Sequence, residues 1–140
     1  MATIAFYNVA RREVVNENWN YSALKVMLVN NYTVVAAHSV IADITTTARV
    51  GGNGWETLGA TVTAASVTLV NTNEAMLDAN DIAITATGGN IGPANGAVLY
   101  DSTGGGILLW YIDFQSTQTA GTGTAFAINW HANGIARWTA

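Results

Sequence analysis

Residues Ala97–Phe114 read AVLYDSTGGGILLWYIDF, and the fold follows from how this stretch is understood. Two apolar runs flank a Gly-rich hinge at Asp101–Gly106, the pattern of two antiparallel strands joined by a loop. In a regular strand Leu108, Trp110, Ile112 and Phe114 share one face, and Ile107, Leu109, Tyr111 and Asp113 the other. Both sets are largely apolar, whereas a strand with one wet face alternates apolar with polar residues. Two arrangements fit. Either the strand is central and covered on both sides, or its outer face meets another protein chain.

Toward the N-terminus, Ala23–Asn30 (ALKVMLVN) is a strand with Leu24, Val26 and Leu28 on one face, ended by the turn chemistry of Asn30-Asn31. His38–Ile44 fits a single helical turn and Thr45–Val50 a strand. The Gly51-Gly52-Asn53-Gly54 loop follows. Gly59–Ala65 and Val67–Asn71 are Thr/Val-rich β pieces. Leu77–Asp81 reads as a turn feeding a strand at Ile82–Thr87, and Gly88–Gly96 as a long loop holding the only proline. Beyond Phe114, a Gly/Thr/Ser linker over Ser116–Thr124 leads to the strand Ala125–Trp130. His131–Gly134 then turns into the closing strand Ile135–Thr139. At the other end, Phe6, Val9, Ala10 and Val14 recur at helical spacing, which predicts an amphipathic helix over roughly 5–16. Its rival is a strand over Thr3–Val9. Short strands with turn signals between them predict a mainly β chain: a single-domain antiparallel β-sandwich, jelly-roll or Ig-like, over residues 21–140, with a helix or arm over 1–20.

Composition narrows the function classes. The chain has 140 residues and no cysteine, so disulfides and thiolate metal sites are excluded. Half its residues are hydrophobic and 10% are charged, against about a quarter in a typical soluble chain. Burial in an assembly is the natural explanation for so little charge, with a Thr/Asn/Ser-rich surface as a partial substitute. The net charge is −4, and between Val50 and Ala136 there is no Lys or Arg. No basic stripe can be assembled, which argues against nucleic acid as a partner. No apolar run reaches the length of a membrane span, and a basic-then-apolar leader is lacking, so synthesis in a cytoplasm is expected.

His38, Asp43 and His131 lack a nucleophile on a strained turn, and no G-x-S-x-G occurs, so no catalytic residue and no enzymatic activity is expected. Two histidines without cysteine make zinc improbable. Asp78, Asn80 and Asp81 alternate oxygen ligands, but the closing Glu of a calcium loop does not follow, and Asx-type turn bonding explains them. Neither Gly104–Gly106 nor Gly51–Gly54 carries the Lys-Ser/Thr of a phosphate loop. No cofactor and no metal is expected. Of the five tryptophans, Trp110 and Trp130 align with aliphatic residues and read as core. Trp19, Trp55 and Trp138 are the candidates for an exposed or interface surface.

From Ala23 onward the order LKVMLVN, HSVIADI, RVGGNGW, LDANDIAIT, AVLYD…ILLWYIDF and TAFAINWHANGIARWT resembles small structural proteins from the virion modules of tailed bacteriophages. Leu77-Asp78, Asp81, Tyr100-Asp101, Tyr111–Phe114, Trp130 and Gly134-Ile135 carry the likeness. Trp110 stands where a glycine is common, and Asn80 where an acid is common. The resemblance implies a non-enzymatic virion component, a head decoration (cement) protein or a head or neck appendage. It would bridge major capsid protein or other virion subunits, and a neck, tail or fibre component that recognises a host glycan is the alternative. A homo-oligomer, trimeric by analogy, is expected on the capsid surface or neck. Two-sided hydrophobicity adds an expected interface of Ile107, Leu109 and Tyr111 together with Phe6, Val9, Arg11 and Arg12 of the N-terminal segment.

Overall fold

The computed structural model describes residues 3–15 and 18–139. The chain opens with β1 (Thr3–Phe6), helix α1 (Asn8–Val15) and β2 (Leu24–Val29). Short strands β3 (Arg49–Val50) and β4 (Ala60–Thr61) lead to β5 (Ser66–Asn71), β6 (Glu74–Asp78) and β7 (Ile82–Thr85). Two long strands follow, β8 (Ile91–Asp101) and β9 (Ile107–Ala120), and then β10 (Ala125–Ile128) and β11 (Ala136–Thr139). The central sheet has the order β1-β9-β8-β2-β3, with β4 also on β2, and each of its pairings is antiparallel. A β10-β7 pair and a β11-β6-β5 sheet make the second layer.

The main core lies between the layers. Leu24, Val26 and Leu28 of β2, Ala97 and Leu99 of β8, and Trp110 and Ile112 of β9 meet Leu77, Ile82, Phe126, Ile128 and Ile135. This is a mainly β, single-domain antiparallel sandwich with one short N-terminal helix. The far face of the central sheet is also covered. Met27, Val29, Val98, Tyr100, Leu108 and Tyr111 form a second cluster with Tyr7, Ile44 and Ala48. Its lid is the segment between β2 and β3. The Arg49 guanidinium ties that lid down by donating to the Ile41 and Ile44 carbonyls (2.7 and 2.9 Å). Burial on both faces is why the β8 and β9 runs are apolar without alternation.

β9 does not keep one phase. Leu99 pairs with Trp110 but Tyr100 pairs with Leu108, so Leu109 is an extra residue, a β-bulge. The bulge moves side chains between faces. Leu109 and Trp110 both enter the main core, whereas Leu108 and Tyr111 enter the second cluster. The grouping of Leu108 with Trp110 expected from strict alternation is thereby corrected. The first of the two arrangements open for this strand is the one the fold adopts.

Several boundaries also differ from expectation. The N-terminal segment is neither helix nor strand alone: Thr3–Phe6 extends the central sheet beside β9, and the helix starts at Asn8. Tyr7 and Ala10 are fully buried, so the segment is built into the fold. Thr45–Val50 is mostly a 3-10 turn, Thr46–Ala48, before the two-residue β3. Of the turn expected over Leu77–Asp81, Leu77 and Asp78 belong instead to the strand Glu74–Asp78. The loop expected over Gly88–Gly96 ends at Ile91, where β8 begins. Pro93 is tolerated there because β2 pairs β8 only from Gly96 onward, so the missing N–H breaks no ladder bond on that side. β9 likewise absorbs Ser116–Ala120 of the expected linker.

Candidate functional site

A wide cleft arises from a mismatch in the second layer. Ile128 of β10 pairs with Ile82, and Ala136 of β11 pairs with Leu77. Between these pairs one side uses four residues, 78–81, and the other seven, 129–135. The surplus loops out as a turn closed by the Gly134 N–H donating to the His131 carbonyl (2.8 Å). Gly134 has φ +87°, and a Cβ there would collide with the Met76 side chain, so glycine suits this turn. Trp130 is pinned at its base. Its backbone N–H donates to Asp81 Oδ1 (2.7 Å) and its indole Nε1 to the Asn80 carbonyl (3.0 Å).

The looped-out segment stands away from the central sheet and leaves a cleft of about 760 Å³. One wall is Ile4, Ile112 and Phe114, and the other is Ala127–Ala132 with Gly134 and Ile135. A narrower extension of about 270 Å³ runs between Gln118–Ala120 of β9 and Ala125–Ala127 of β10. Phe114 and Ala127 border both parts, so they form one groove. A cleft of this size lined by apolar side chains has the dimensions of a binding site.

Among the described residues, none of those expected at an interface lines the groove. Leu109 is fully buried in the main core, and Tyr111 is buried with its ring 5.7 Å from that of Tyr32. Ile107 is half-buried against the main core. Val9 is half-buried over the second cluster. Phe6 lies opposite Trp110, their rings 5.5 Å apart edge to face, and remains 36% exposed. Arg12 is exposed, its Nε donating to Glu13 Oε1 (2.7 Å). The side chain of Arg11 lies outside the described residues. Among the tryptophans, Trp55 is buried against Phe126 instead of exposed. Trp19 and Trp138 are half-buried, their rings 6.3 Å apart, and Trp130 borders the groove.

Outside the groove, large apolar side chains stand in solvent. Leu69 is 81% exposed on β5, an edge strand, beside Val70. Leu58 is 47% exposed, and Ile4, at the groove wall, is 45% exposed. The alternation in Val67–Asn71 points to a strand but cannot show that its outer residues lack a cover.

The charged groups serve the fold. Hydrogen bonds from Arg12 and Asn18 hold the Glu13 carboxyl below the usual carboxylate range. Asp43 is held low by the Ser39 and Val40 N–H groups, which cap the turn beneath the second cluster. Burial pushes the Tyr7 phenol up, as does its 2.9 Å hydrogen bond with Tyr32, whose hydroxyl also meets His38 Nδ1 at 3.2 Å. Asp78, Asn80 and Asp81 turn to separate partners: Asp78 to Ala79 N–H, Asn80 to Thr63, Asp81 to Trp130. Among the described residues, no cluster of three or more His, Asp or Glu could hold a metal ion. No helix there is long and apolar enough to cross a membrane. No protein-family model, curated protein or solved structure matches this chain.

Proposed function

We propose that this chain is a non-enzymatic virion structural protein, a head decoration protein that stabilises a shell by bridging major capsid protein subunits. The observation that carries the reading is the set of large apolar side chains left in solvent, Leu69 and Leu58 foremost, on a chain with only 10% charged residues. Such surface is costly to leave wet and marks sites of association. The resemblance to phage virion proteins supplies the kind of assembly. Its β pieces and their order agree with a rigid sandwich suited to bearing load, and fold alone is shared by many functions. A self-associated ring, with a trimer as the working stoichiometry, would present several copies of the second surface to neighbouring shell subunits. Binding only the assembled shell would stabilise it by mass action against internal pressure.

The test is binding of the purified chain to empty phage heads, followed by heating of decorated and bare heads. The reading expects saturable binding at hundreds of copies per head and a higher disruption temperature for decorated heads. A chain that ignores heads would sink it. A second reading, glycan recognition by a neck or fibre component, draws on Trp130 at the groove, because sugars stack on aromatic faces. Glycan-array binding lost in Trp130→Ala, with no binding to heads, would favour it.

A further inference from the structure

β5 is an open edge of the second layer. It ends the β11-β6-β5 sheet, and among the described residues its backbone bonds only to β6. Residues 57–80, which hold the strand, its approach and its hairpin partner, are all described. The turn Tyr21–Ala23 lies beside β5 but directs its backbone elsewhere. The Ala23 N–H donates to the Asn20 carbonyl (3.1 Å), and the Ala23 carbonyl accepts from the Ser102 N–H (2.9 Å). Sheet edges are commonly guarded by charge, proline or a cover, and β5, reading SVTLVN, has neither charge nor proline. Val67 packs against the main core, and Leu69, two residues on, shares its face. Leu69 ends the cross-strand row Trp138, Ala75, Leu69 at the open edge, where it is 81% exposed.

Residues 57–73 carry no charge, so a charged strand laid on this edge would lose water without meeting a counter-charge. The edge suits an uncharged strand of Thr, Val and Leu, and β5 itself answers that description. Two copies related by a two-fold axis perpendicular to the sheet run antiparallel and keep their faces. With Thr68 opposite its own counterpart, Val67 of each copy lies opposite Leu69 of the other. Apolar side chains then meet twice on the core-facing side, and the bulge at Val70 stays at the end of the pairing. The neighbouring carboxylates do not oppose this contact. Glu74 is bound to Arg137 (3.1 Å). It would stand three strand spacings of about 4.8 Å from Asp78 of the second copy, beyond the screening length of about 10 Å at 0.1 M salt. We propose that β5 pairs antiparallel with β5 of a second copy, joining two three-stranded sheets into one. The contact closes on two copies and does not rest on the virion reading.

The test is sedimentation and light scattering of the full chain. A pair of edge strands is a small interface, so the molar mass should rise from one chain toward two between about 10 μM and about 1 mM. The rise should be the same at about 0.05 and about 0.5 M salt, because no charge lies in the contact. Thr68 is exposed, so Thr68→Lys and Thr68→Glu should leave the melting temperature of the single chain unchanged. Each places two like charges opposite one another and should weaken the dimer at least roughly tenfold. An equimolar mixture of the two variants sets opposite charges together and should recover the dimer to within about threefold of the original. Leu69→Asn, at the 81% exposed site, removes both apolar pairs and should also weaken pairing at least roughly tenfold, which repeats the test with Thr68 intact. A chain that stays monomeric across the range, an oligomer that none of these substitutions weakens, or a mixture that stays monomeric would overturn the proposal. A strong salt dependence would do the same. A chain that dimerises in this way but ignores phage heads keeps the pairing and loses the decoration reading; a chain that is monomeric alone yet binds heads does the reverse.

Discussion

Truncating Leu109 to alanine tests whether β9 is a core strand or an interface strand. Leu109 is the bulged residue, fully buried, with the equally buried Trp110 entering the same core beside it. Large-to-small substitution of a buried leucine costs about 2–5 kcal/mol, with the higher values where neighbours cannot collapse into the gap. A bulge held between β1 and β8 has little freedom to collapse, so about 3–4 kcal/mol is expected. Against a total stability of about 5–15 kcal/mol this is a large fraction. At about 3 °C per kcal/mol for a chain of this length, the melting temperature should fall by roughly 10 °C. Urea denaturation should show the loss as a shifted midpoint at constant slope. Ile4→Ala, at a site 45% exposed, serves as the control and should cost under about 1 kcal/mol. The decisive companion measurement is molar mass by light scattering. An unchanged midpoint with a lower molar mass would mean that Leu109 faces a second chain, and the assignment of β9 to the interior would fail.

Three further outcomes follow from the same structure. Gly96→Ala should destabilise by about 1–3 kcal/mol, because a Cβ there lies 2.6 Å from Tyr111 Oη and 2.8 Å from the Ile112 carbonyl; chemical denaturation that shows no loss would contradict this packing. Hydrogen bonds from Ser39 and Val40 depress the Asp43 carboxyl, so its stabilising contribution is present above the unfolded value of about 4 and is lost as pH falls below it. Amide exchange over residues 39–44 should therefore accelerate in acid, and Asp43→Asn should show fast exchange already at neutral pH. Tyr7 has the opposite sign: its phenol is raised by burial, so its contribution holds below the unfolded value of about 10 and is lost at higher pH. Tyr7→Phe should move the midpoint of alkaline unfolding upward, and an unmoved midpoint would remove Tyr7 from that transition.

The pattern in residues 97–114, with the regular turn signals on either side, was sufficient to read an antiparallel β-sandwich. Strand-forming tendency and turn chemistry are local properties carried by a few adjacent residues. For the same reason β2 was legible in both extent and faces, since Leu24, Val26 and Leu28 keep strict alternation into the main core. The charge distribution, with no base from residue 50 to 136, was also plain in the sequence. Tertiary structure decided the rest. The bulge at Leu109 depends on how β9 registers against β8, and one extra residue reverses the face of every side chain before it. The groove depends on two distant pairings, Ile128 with Ile82 and Ala136 with Leu77, that enclose unequal lengths of chain. Neither quantity is written in any local window. Nor is the burial of Leu109 and Tyr111, because an apolar residue looks the same in sequence whether its cover is its own chain or another. For Tyr111 this is settled when the segment between β2 and β3 folds back over the sheet, and for Leu109 when the second layer closes on the main core.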